Sequence, residues 1–455
     1  MECLANPRQA SGESATTTRR IRNDAPANPQ RRRTLIIMTE GLIRRHLTDL
    51  AEETLADTPI TVISGARQVG KSTLMEQILL GRDARVVNLD HAADRQGAAR
   101  DPDTFVAQYP EGILAIDEVQ RVPELMTALK ANVDRDRRPG RFVITGSADL
   151  LKLRGSQESL AGRAETVPLD GLSRGEINGT VEDFAAFAWT LDGKGTPDDR
   201  DSHTRRDYLE LAVTPAFPGM RGTTGRGRSR RLGNYVDRVL SKDTTDISGI
   251  AHPDRLEPLL QLIAGRNSGE FVAARVGREI DIPERSLPTY LNALRSVYLV
   301  RVVPGWSNNI AGRAVAIPKV SLSDTGLAAY LAGVDADGLE HDVSATLAGG
   351  FVEGFVLGEL SKQRAWSARD FRLSHFRDNH GHEVDIVLED RRREVVGVEV
   401  KASSNPRGGD FRGLEFLRTK LGARFRAGVL LHTGTRSVPF GDRLWALPIS
   451  TLWEH

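Results

Sequence analysis

From Ile60 onward, short apolar runs alternate with stretches in which apolar side chains recur every three or four positions. The runs at 60–64, 86–89, 113–116 and 142–145 predict strands, and Leu74 and Ile78, four apart within 73–80, share one face of a helix between the first two. Strands and helices alternating in this way predict a parallel sheet wrapped by helices. Residues 171–250 are less regular and read as a helical lid or linker that includes a Gly/Asp-rich stretch at 192–201. Between 254 and 303 the pattern changes: Leu256, Leu259, Leu260 and Ile263 form one stripe, and Leu287, Leu291, Leu294 and Tyr298 another. Ser286 can cap that second helix, Pro288 falls in its first turn, and 299–303 reads as a strand. Three helices and a strand are a winged-helix outline, whose last helix could present Thr289, Asn292 and Arg295 to a major groove; the same outline also serves as a plain packing unit. Near the end, Val384, Ile386 and Leu388 alternate with Glu383 and Asp385, a charged turn follows at 389–393, and 395–400 returns as a second strand of a hairpin.

At 455 residues the chain exceeds what one core supports. The pattern divides it into an arm (1–38), an α/β core (39–170), the lid or linker (171–250), the winged-helix region (251–340) and a terminal α/β domain (341–455). Charged residues at 27% and hydrophobic residues at 39% exclude bulk disorder and a membrane chain. Cys3 is the one cysteine, so neither a disulfide framework nor a cysteine-ligated zinc can form within the chain. No apolar run reaches the ~18 residues needed to cross a bilayer, and a cytoplasmic protein without membrane contact is expected. Net charge is only +1, but positive charge is gathered in the arm and at Arg221, Arg226, Arg228, Arg230 and Arg231, where Gly, Ser and Thr predict a flexible loop. Either cluster could hold phosphate or simply be solvated.

The candidate chemistry begins with Gly65, Ala66, Arg67, Gln68, Val69, Gly70, Lys71 and Ser72, a full match to G-x-x-x-x-G-K-[ST] between a predicted strand and a predicted helix. In that context Gly65 and Gly70 let the backbone curl its N–H groups toward a phosphate, and the helix continuing through Thr73 adds its positive end. Lys71 would bridge the β- and γ-phosphates, and the Ser72 hydroxyl would coordinate magnesium. The strand at 113–116 runs into Asp117 and Glu118, the form of a Walker B element: Asp117 to hold the magnesium through water, Glu118 to activate the attacking water. Thr145 and Ser147, after the next strand, could contact the γ-phosphate or that water, or could simply cap a helix. Arg163 is a candidate arginine finger by its position in the chain, acting on its own site or on a neighbour's.

With Ile116-Asp117-Glu118-Val119-Gln120, Thr145-Gly146-Ser147 and Ser323-Asp324-Thr325-Gly326 added to the phosphate loop, the chain resembles, over about 39–455, a family of prokaryotic AAA-type ATPases whose carboxyl-terminal half is a domain of unknown function. The resemblance implies ATP binding, a helical middle with a winged-helix element and a terminal domain similar to PD-(D/E)XK nucleases. The terminal hairpin can be read independently. Asp385 lies on one strand and Glu399 and Lys401, two apart, share a face of the other, the metal-and-lysine arrangement of restriction-endonuclease-like sites. There Asp385 and Glu399 would bind magnesium or manganese and Lys401 would position water. Glu353, with Glu359 as a substitute, matches the extra acid of some such sites. Ordinary cross-strand ion pairing gives the same residues, and the helix near 411–417 lacks the glutamine of the better-defined relatives. His380 and His382 flank the hairpin and read as exposed. The combined expectation is an ATP-hydrolysing switch, with ATP and Mg2+ as cofactors, that engages DNA and either cuts or binds it. A nucleotide-gated regulator or scaffold without nuclease activity is the alternative, a protein-remodelling ATPase a third; homo-oligomerisation and a protein partner are left open.

Overall fold

In the computed structural model, which describes residues 42–147, 160–191, 202–244, 250, 252–313, 316–342 and 345–455, the apolar runs of the first half form a five-stranded parallel sheet. Its strands are β1 (Ile60–Ser64), β2 (Ala84–Asn88), β3 (Ile113–Asp117), β4 (Phe142–Gly146) and β5 (Ala164–Pro168), in the spatial order β2-β3-β4-β1-β5. β1 and β4 are buried at every position and β3 at all but one, because helices cover both faces. β5, an edge strand of sequence Ala-Glu-Thr-Val-Pro with one buried residue, offers no apolar run and escapes the sequence pattern. Helix α1 (Leu47–Asp57) lays Leu47, Ala51 and Leu55 on the sheet, α2 (Lys71–Ile78) follows β1, and α3 (Leu125–Arg135) packs between β3 and β4 in sequence. Residues 1–43 are a unit to themselves, of which only Leu42 and Ile43 are described; the predicted basic arm and the 192–201 stretch lie outside the described residues.

The lid expected over 171–250 is corrected by the structure. Asp183 caps α4 (Phe184–Thr190) through the Ala186 N–H, and Thr204 and Asp207 form a capping box at α5 (Arg205–Ala212). These helices bury Phe184, Trp189, Tyr208 and Leu209 in the common core. The Arg-rich segment is helix α6 (Gly225–Arg238), not a flexible loop. Gly225 and Gly227 argue locally against a helix, but Leu232, Tyr235 and Val236 line one face and bury it, and tertiary packing outweighs the weak propensity. Arg226, Arg230 and Arg231 are exposed on α6; Arg228 donates to the Thr223 carbonyl at 2.9 Å.

Next come α7 (Leu256–Gly265), β6 (Gly269–Glu270), α8 (Ala273–Ile280), α9 (Leu287–Ser296), β7 (Val300–Val303) and β8 (Lys319–Leu322), the strands forming an antiparallel sheet of order β6-β8-β7. Ser286 precedes α9 but makes no cap hydrogen bond, and Tyr298 leaves the stripe by adopting φ 59° beyond the helix end. Thr289, Asn292 and Arg295 lie on the exposed face of α9. After α10 (Thr325–Ala332) and α11 (Thr346–Gln363), the terminal domain builds a six-stranded mixed sheet from β9 (Phe371–Arg377), β10 (Glu383–Asp390), β11 (Val395–Lys401), β12 (Phe425–His432), β13 (Val438–Pro439) and β14 (Leu444–Pro448), with α12 (Arg412–Leu421) against it. β10 and β11 are the predicted antiparallel hairpin, whereas β11, β12 and β14 are parallel.

These segments do not separate into independent cores. The Phe184 N–H donates to Gln363 Oε1 at 2.9 Å, Trp189 packs against Phe371, and the Ser450 N–H donates to the Tyr208 hydroxyl oxygen at 2.9 Å. β7 continues through Pro304–Trp306 into backbone pairing with His375 of β9. Among the described residues no helix is long and apolar enough to cross a membrane.

Candidate functional site

The loop between β1 and α2 curls as its glycines require. Gly65, at φ 155°, sits where an added Cβ would lie 2.0 Å from the Leu169 carbonyl oxygen, and Gly70, at φ 99°, opens α2 from the left-handed region. Gln68 is also left-handed, at φ 63°, while Val69 anchors the loop in the core. The Lys71 side chain is buried and folds back over the loop, its Nζ donating to the carbonyls of Gly65 at 3.1 Å and Ala66 at 2.9 Å. Ala66 and Arg67 complete the cradle, and Thr73 lies in the first turn of α2.

At the carboxyl ends of β1, β2, β3 and β4 the polar groups converge on Asp117. Its Oδ2 accepts from Ser72 Oγ at 2.9 Å and from Asn88 Nδ2 at 3.1 Å, and its Oδ1 from the Thr145 hydroxyl. Glu118 takes the left-handed conformation, φ 58° and ψ 44°, which costs a side-chain-bearing residue about 1–2 kcal/mol. Its N–H donates to Thr145 Oγ1 at 3.2 Å, and Gln120 Nε2 bridges Glu118 Oε2 at 2.5 Å to Ser147 Oγ at 3.0 Å. The donor set fits a nucleotide triphosphate with magnesium: a glycine-lined cradle and Lys71 for phosphate, Ser72 and Asp117 for the metal, and Glu118 held beside them by Gln120. The metal would neutralise developing phosphate charge; Glu118 would orient and accept a proton from water.

Arg163 lies elsewhere. It immediately precedes β5, at the sheet edge opposite the cradle, and binds Asp134 through Nε at 2.8 Å and Nη2 at 2.7 Å. It therefore does not reach its own chain's phosphate site. Asn88 and Gln120, which sequence reasoning gave no role, do reach it, as does Arg45. The buried Arg45 guanidinium donates to the Val69 carbonyl of the loop at 2.7 Å, to the Asp170 carbonyl at 2.8 Å and to Glu176 Oε1 at 2.9 Å. Ser323 to Gly326 plays a structural part: Asp324 caps α10 and accepts from the Ala216 N–H at 2.7 Å, and a Cβ on Gly326 would lie 2.2 Å from the Pro215 nitrogen.

A second polar centre brings together Glu353 of α11, Asp385 of β10, and Glu399 and Lys401 of β11. A register irregularity between Val384 and Val387 bends β10 at Asp385, whose Oδ2 accepts from the Val400 N–H at 3.0 Å. Lys401 Nζ donates to Glu399 Oε1 at 2.7 Å, and Glu399 Oε2 is buried with no partner. The unanticipated member is Lys319, the first residue of β8. Its buried ammonium lies 2.8 Å from Glu353 Oε1, 3.1 Å from Glu383 Oε1 and 3.2 Å from Asp385 Oδ1. Burial alone would lower the Lys319 ammonium, but Glu353, Asp385 and Glu383 raise it above its ordinary value. Burial, reinforced by Asp385, pushes Glu353 well up and Glu399 up to about 8, against the pull of the lysines. Among the described residues no group of three or more His, Cys, Asp or Glu side chains is disposed to hold a metal ion, so Glu353, Asp385 and Glu399 do not fit one as they stand. Glu359 lies apart, bound to Lys362 at 2.6 Å and to the Arg174 N–H at 2.9 Å. His382 Nδ1 donates to Asp378 Oδ2, 2.9 Å away, and the ring stacks on Phe416. The signal for Lys319 was a lysine inside the run 314–322, apolar except for it and Ser321.

A cavity of about 700 Å3 borders the phosphate loop at Ser64 and Gly65. Arg295, Arg301, Arg364 and Arg372 line it with Tyr298 and Trp366; Arg301 pairs with Asp170 at 3.3 Å, and Arg295, Arg364 and Arg372 are exposed.

Three family models match the chain: an AAA domain at residues 57–178, one domain of unknown function (DUF8612) at 205–338 and another (DUF4143) at 348–452. The uncharacterized proteins Rv2008c of Mycobacterium tuberculosis and Mb2031c of Mycobacterium bovis are each 29% identical over 366 residues, 80% of this chain and 75% of theirs. Among solved structures, the Walker-type ATPase PABY2304 of Pyrococcus abyssi is 17% identical and matches 64% of this chain and 97% of its own at a TM-score of 0.41. The STAND protein PH0952 of Pyrococcus horikoshii, with a tetratricopeptide repeat sensor, matches 70% of this chain and 45% of its own at 12% identity and a TM-score of 0.22. The AAA match covers the parallel sheet and cradle described above, and the chain carries an AAA-type P-loop domain that supports ATP binding and hydrolysis.

Proposed function

We propose that the chain is an ATP-hydrolysing molecular switch that engages DNA. The observation that carries the reading is the convergence of Lys71, Ser72, Asp117, Glu118 and Thr145 at one edge of the parallel sheet. Lys71 holds phosphate, Ser72 and Asp117 hold magnesium, and Glu118 activates water. DNA engagement is supported by the basic cavity beside the loop. Its exposed Arg295, Arg364 and Arg372 suit phosphodiesters, Tyr298 and Trp366 suit stacked bases, and the exposed arginines of α6 add a further cationic surface. The helix, strand, helix, helix, strand, strand order of 256–322 supports the winged-helix reading. Lys319 within the acidic cluster favours binding over cutting in the terminal domain. If Arg163 serves as a finger, it does so on a neighbouring copy, which light scattering with and without ATP would detect.

The test is phosphate release by the full chain with ATP and magnesium, with and without DNA. Lys71→Ala is expected to reduce turnover at least ~100-fold, because it removes the charge-assisted contact to the β- and γ-phosphates. Unchanged turnover would end the ATPase reading. DNA affinity, followed by anisotropy, is expected to fall steeply between 50 and 200 mM salt, as ~10-fold or more for several phosphate contacts, and to fall further in Arg364→Glu/Arg372→Glu. A flat salt dependence would end the DNA reading while leaving the ATPase reading intact.

A further inference from the structure

We infer that Lys319 is a built-in cation that stands in place of a divalent metal in the terminal domain, so that the nuclease-like acids are neutralised from within. The inference rests on reading Asp385, Glu399 and Lys401 as a nuclease-like constellation, and it departs from what that constellation implies: the residues present do not fit a metal because an ammonium already holds an oxygen of Asp385 and one of Glu353.

The geometry is specific. Lys319 Nζ bridges Glu353 Oε1 and Asp385 Oδ1 and also reaches Glu383, so it draws on two of the acids assigned to the metal. Asp385 has its other oxygen committed to the Val400 N–H. A magnesium or manganese ion would need these same oxygens at ~2.0–2.6 Å and would compete for them with the buried Lys319 ammonium. The cluster already holds cations of its own. Glu353, Glu383, Asp385 and Glu399 face Lys319 and Lys401, with Arg377 at 3.4 Å from Glu383 on the rim. Access is not what keeps an ion out, since Lys319, Glu353 and Glu383 line a cavity of about 610 Å3. What is left over is an acceptor: Glu399 Oε2, buried and without a hydrogen-bond partner, is an oxygen that a cation would satisfy. Lys319 comes from β8, outside the segment 348–452 that contributes the acids, so the cation is supplied by the preceding region of the chain.

Removing the ammonium should therefore open an ion site. The full chain, without nucleotide, is titrated with Mn2+, following free Mn2+ by electron paramagnetic resonance and thermal melting in parallel. Asp385→Asn serves as the reference that subtracts ions held by Ser72 and Asp117. Wild type is expected to show no Asp385-dependent Mn2+. Lys319→Met is expected to gain one Mn2+ per chain, on the order of 0.1–1 mM in affinity, with a rise in melting temperature that Lys319→Met/Asp385→Asn loses. Because Lys319→Met leaves buried acids uncompensated, Lys319→Met/Glu353→Gln is measured beside it. Ion-dependent stabilisation of either variant, including folding only when Mn2+ is added, supports the inference. Asp385-dependent Mn2+ in wild type overturns it, as does the absence of any Mn2+ uptake or thermal shift in both variants. The readout is ion binding, not strand cleavage, so failure of the DNA-engaging reading leaves it standing.

Discussion

Asp117 collects Ser72, Asn88 and Thr145 on one carboxylate, and each of those partners arrives from a different element. The sequence made Lys71, Ser72, Asp117 and Glu118 legible because each sits in a contiguous motif whose spacing reflects local backbone geometry. Asn88, Arg45 and Lys319 carry no such spacing; their partners are chosen by the fold, across 29 residues for Asn88, 24 for Arg45 and the loop, and 66 for Lys319 and Asp385. At this scale, Glu118→Gln should still bind nucleotide, read by a fluorescent analogue, while phosphate release falls ~100-fold, the scale of losing a general base. Arg45→Ala leaves Glu176 buried without its guanidinium and the Val69 carbonyl without its donor. It should lower stability by about 3–5 kcal/mol in urea unfolding and weaken nucleotide binding, whereas an exposed arginine such as Arg230 should change neither. Glu399 gives a pH signature. Its folded carboxyl is raised from the ordinary 4.5 to about 8, so the folded chain keeps a proton that the unfolded chain releases. That contribution is complete below about pH 4.5 and is lost as pH rises through about 8. Thermal melting between pH 5 and 8 should show a decline that Glu399→Gln makes shallower.

Elements were readable where alternation or a 3.6-residue period was strong. The β10–β11 hairpin lies where its pattern places it, and the four central strands begin within two residues of expectation. β5 was not readable because a half-exposed edge strand needs few apolar residues, and α6 was misread because three glycines and five arginines outweigh a short buried stripe when neighbours are unseen. The turn into α10 shows the reverse: Ser323-Asp324-Thr325-Gly326 is visible in sequence, but its reason is the close passage of 214–216. Gly326→Ala should lower stability by about 1–3 kcal/mol, because the nearest atoms to the new Cβ are backbone and cannot rotate away. A urea midpoint equal to wild type would show that the two segments are free to part. The helix following β11 illustrates a further limit, since α12 lies where a glutamine-bearing helix was sought and instead presents Leu414 and Leu417 to the core.

Across the whole molecule the sequence suggested five domains, yet Arg44–His455 is one unit, and its largest hydrophobic cluster runs from Leu47 to Trp453, with smaller clusters on the parallel and terminal sheets. Composition marks where linkers fall but not that α4 and α5 bury aromatic faces against the terminal sheet. Residues 341–455 made alone should therefore show no cooperative thermal transition by circular dichroism, while the full chain should unfold without a separate terminal step. A sharp melt of the isolated piece would contradict the shared core. β8 carries Lys319 at its start and is followed at once by Ser323 and Asp324, the latter bound to Ala216. Side chains alternate along such a strand, so a slip of one residue would turn the ammonium to the opposite face and replace it with an apolar neighbour, Val320. Intermediate placements do not exist for a strand paired on both sides. A β8 out of register by one residue would leave the acidic cluster without its counter-charge.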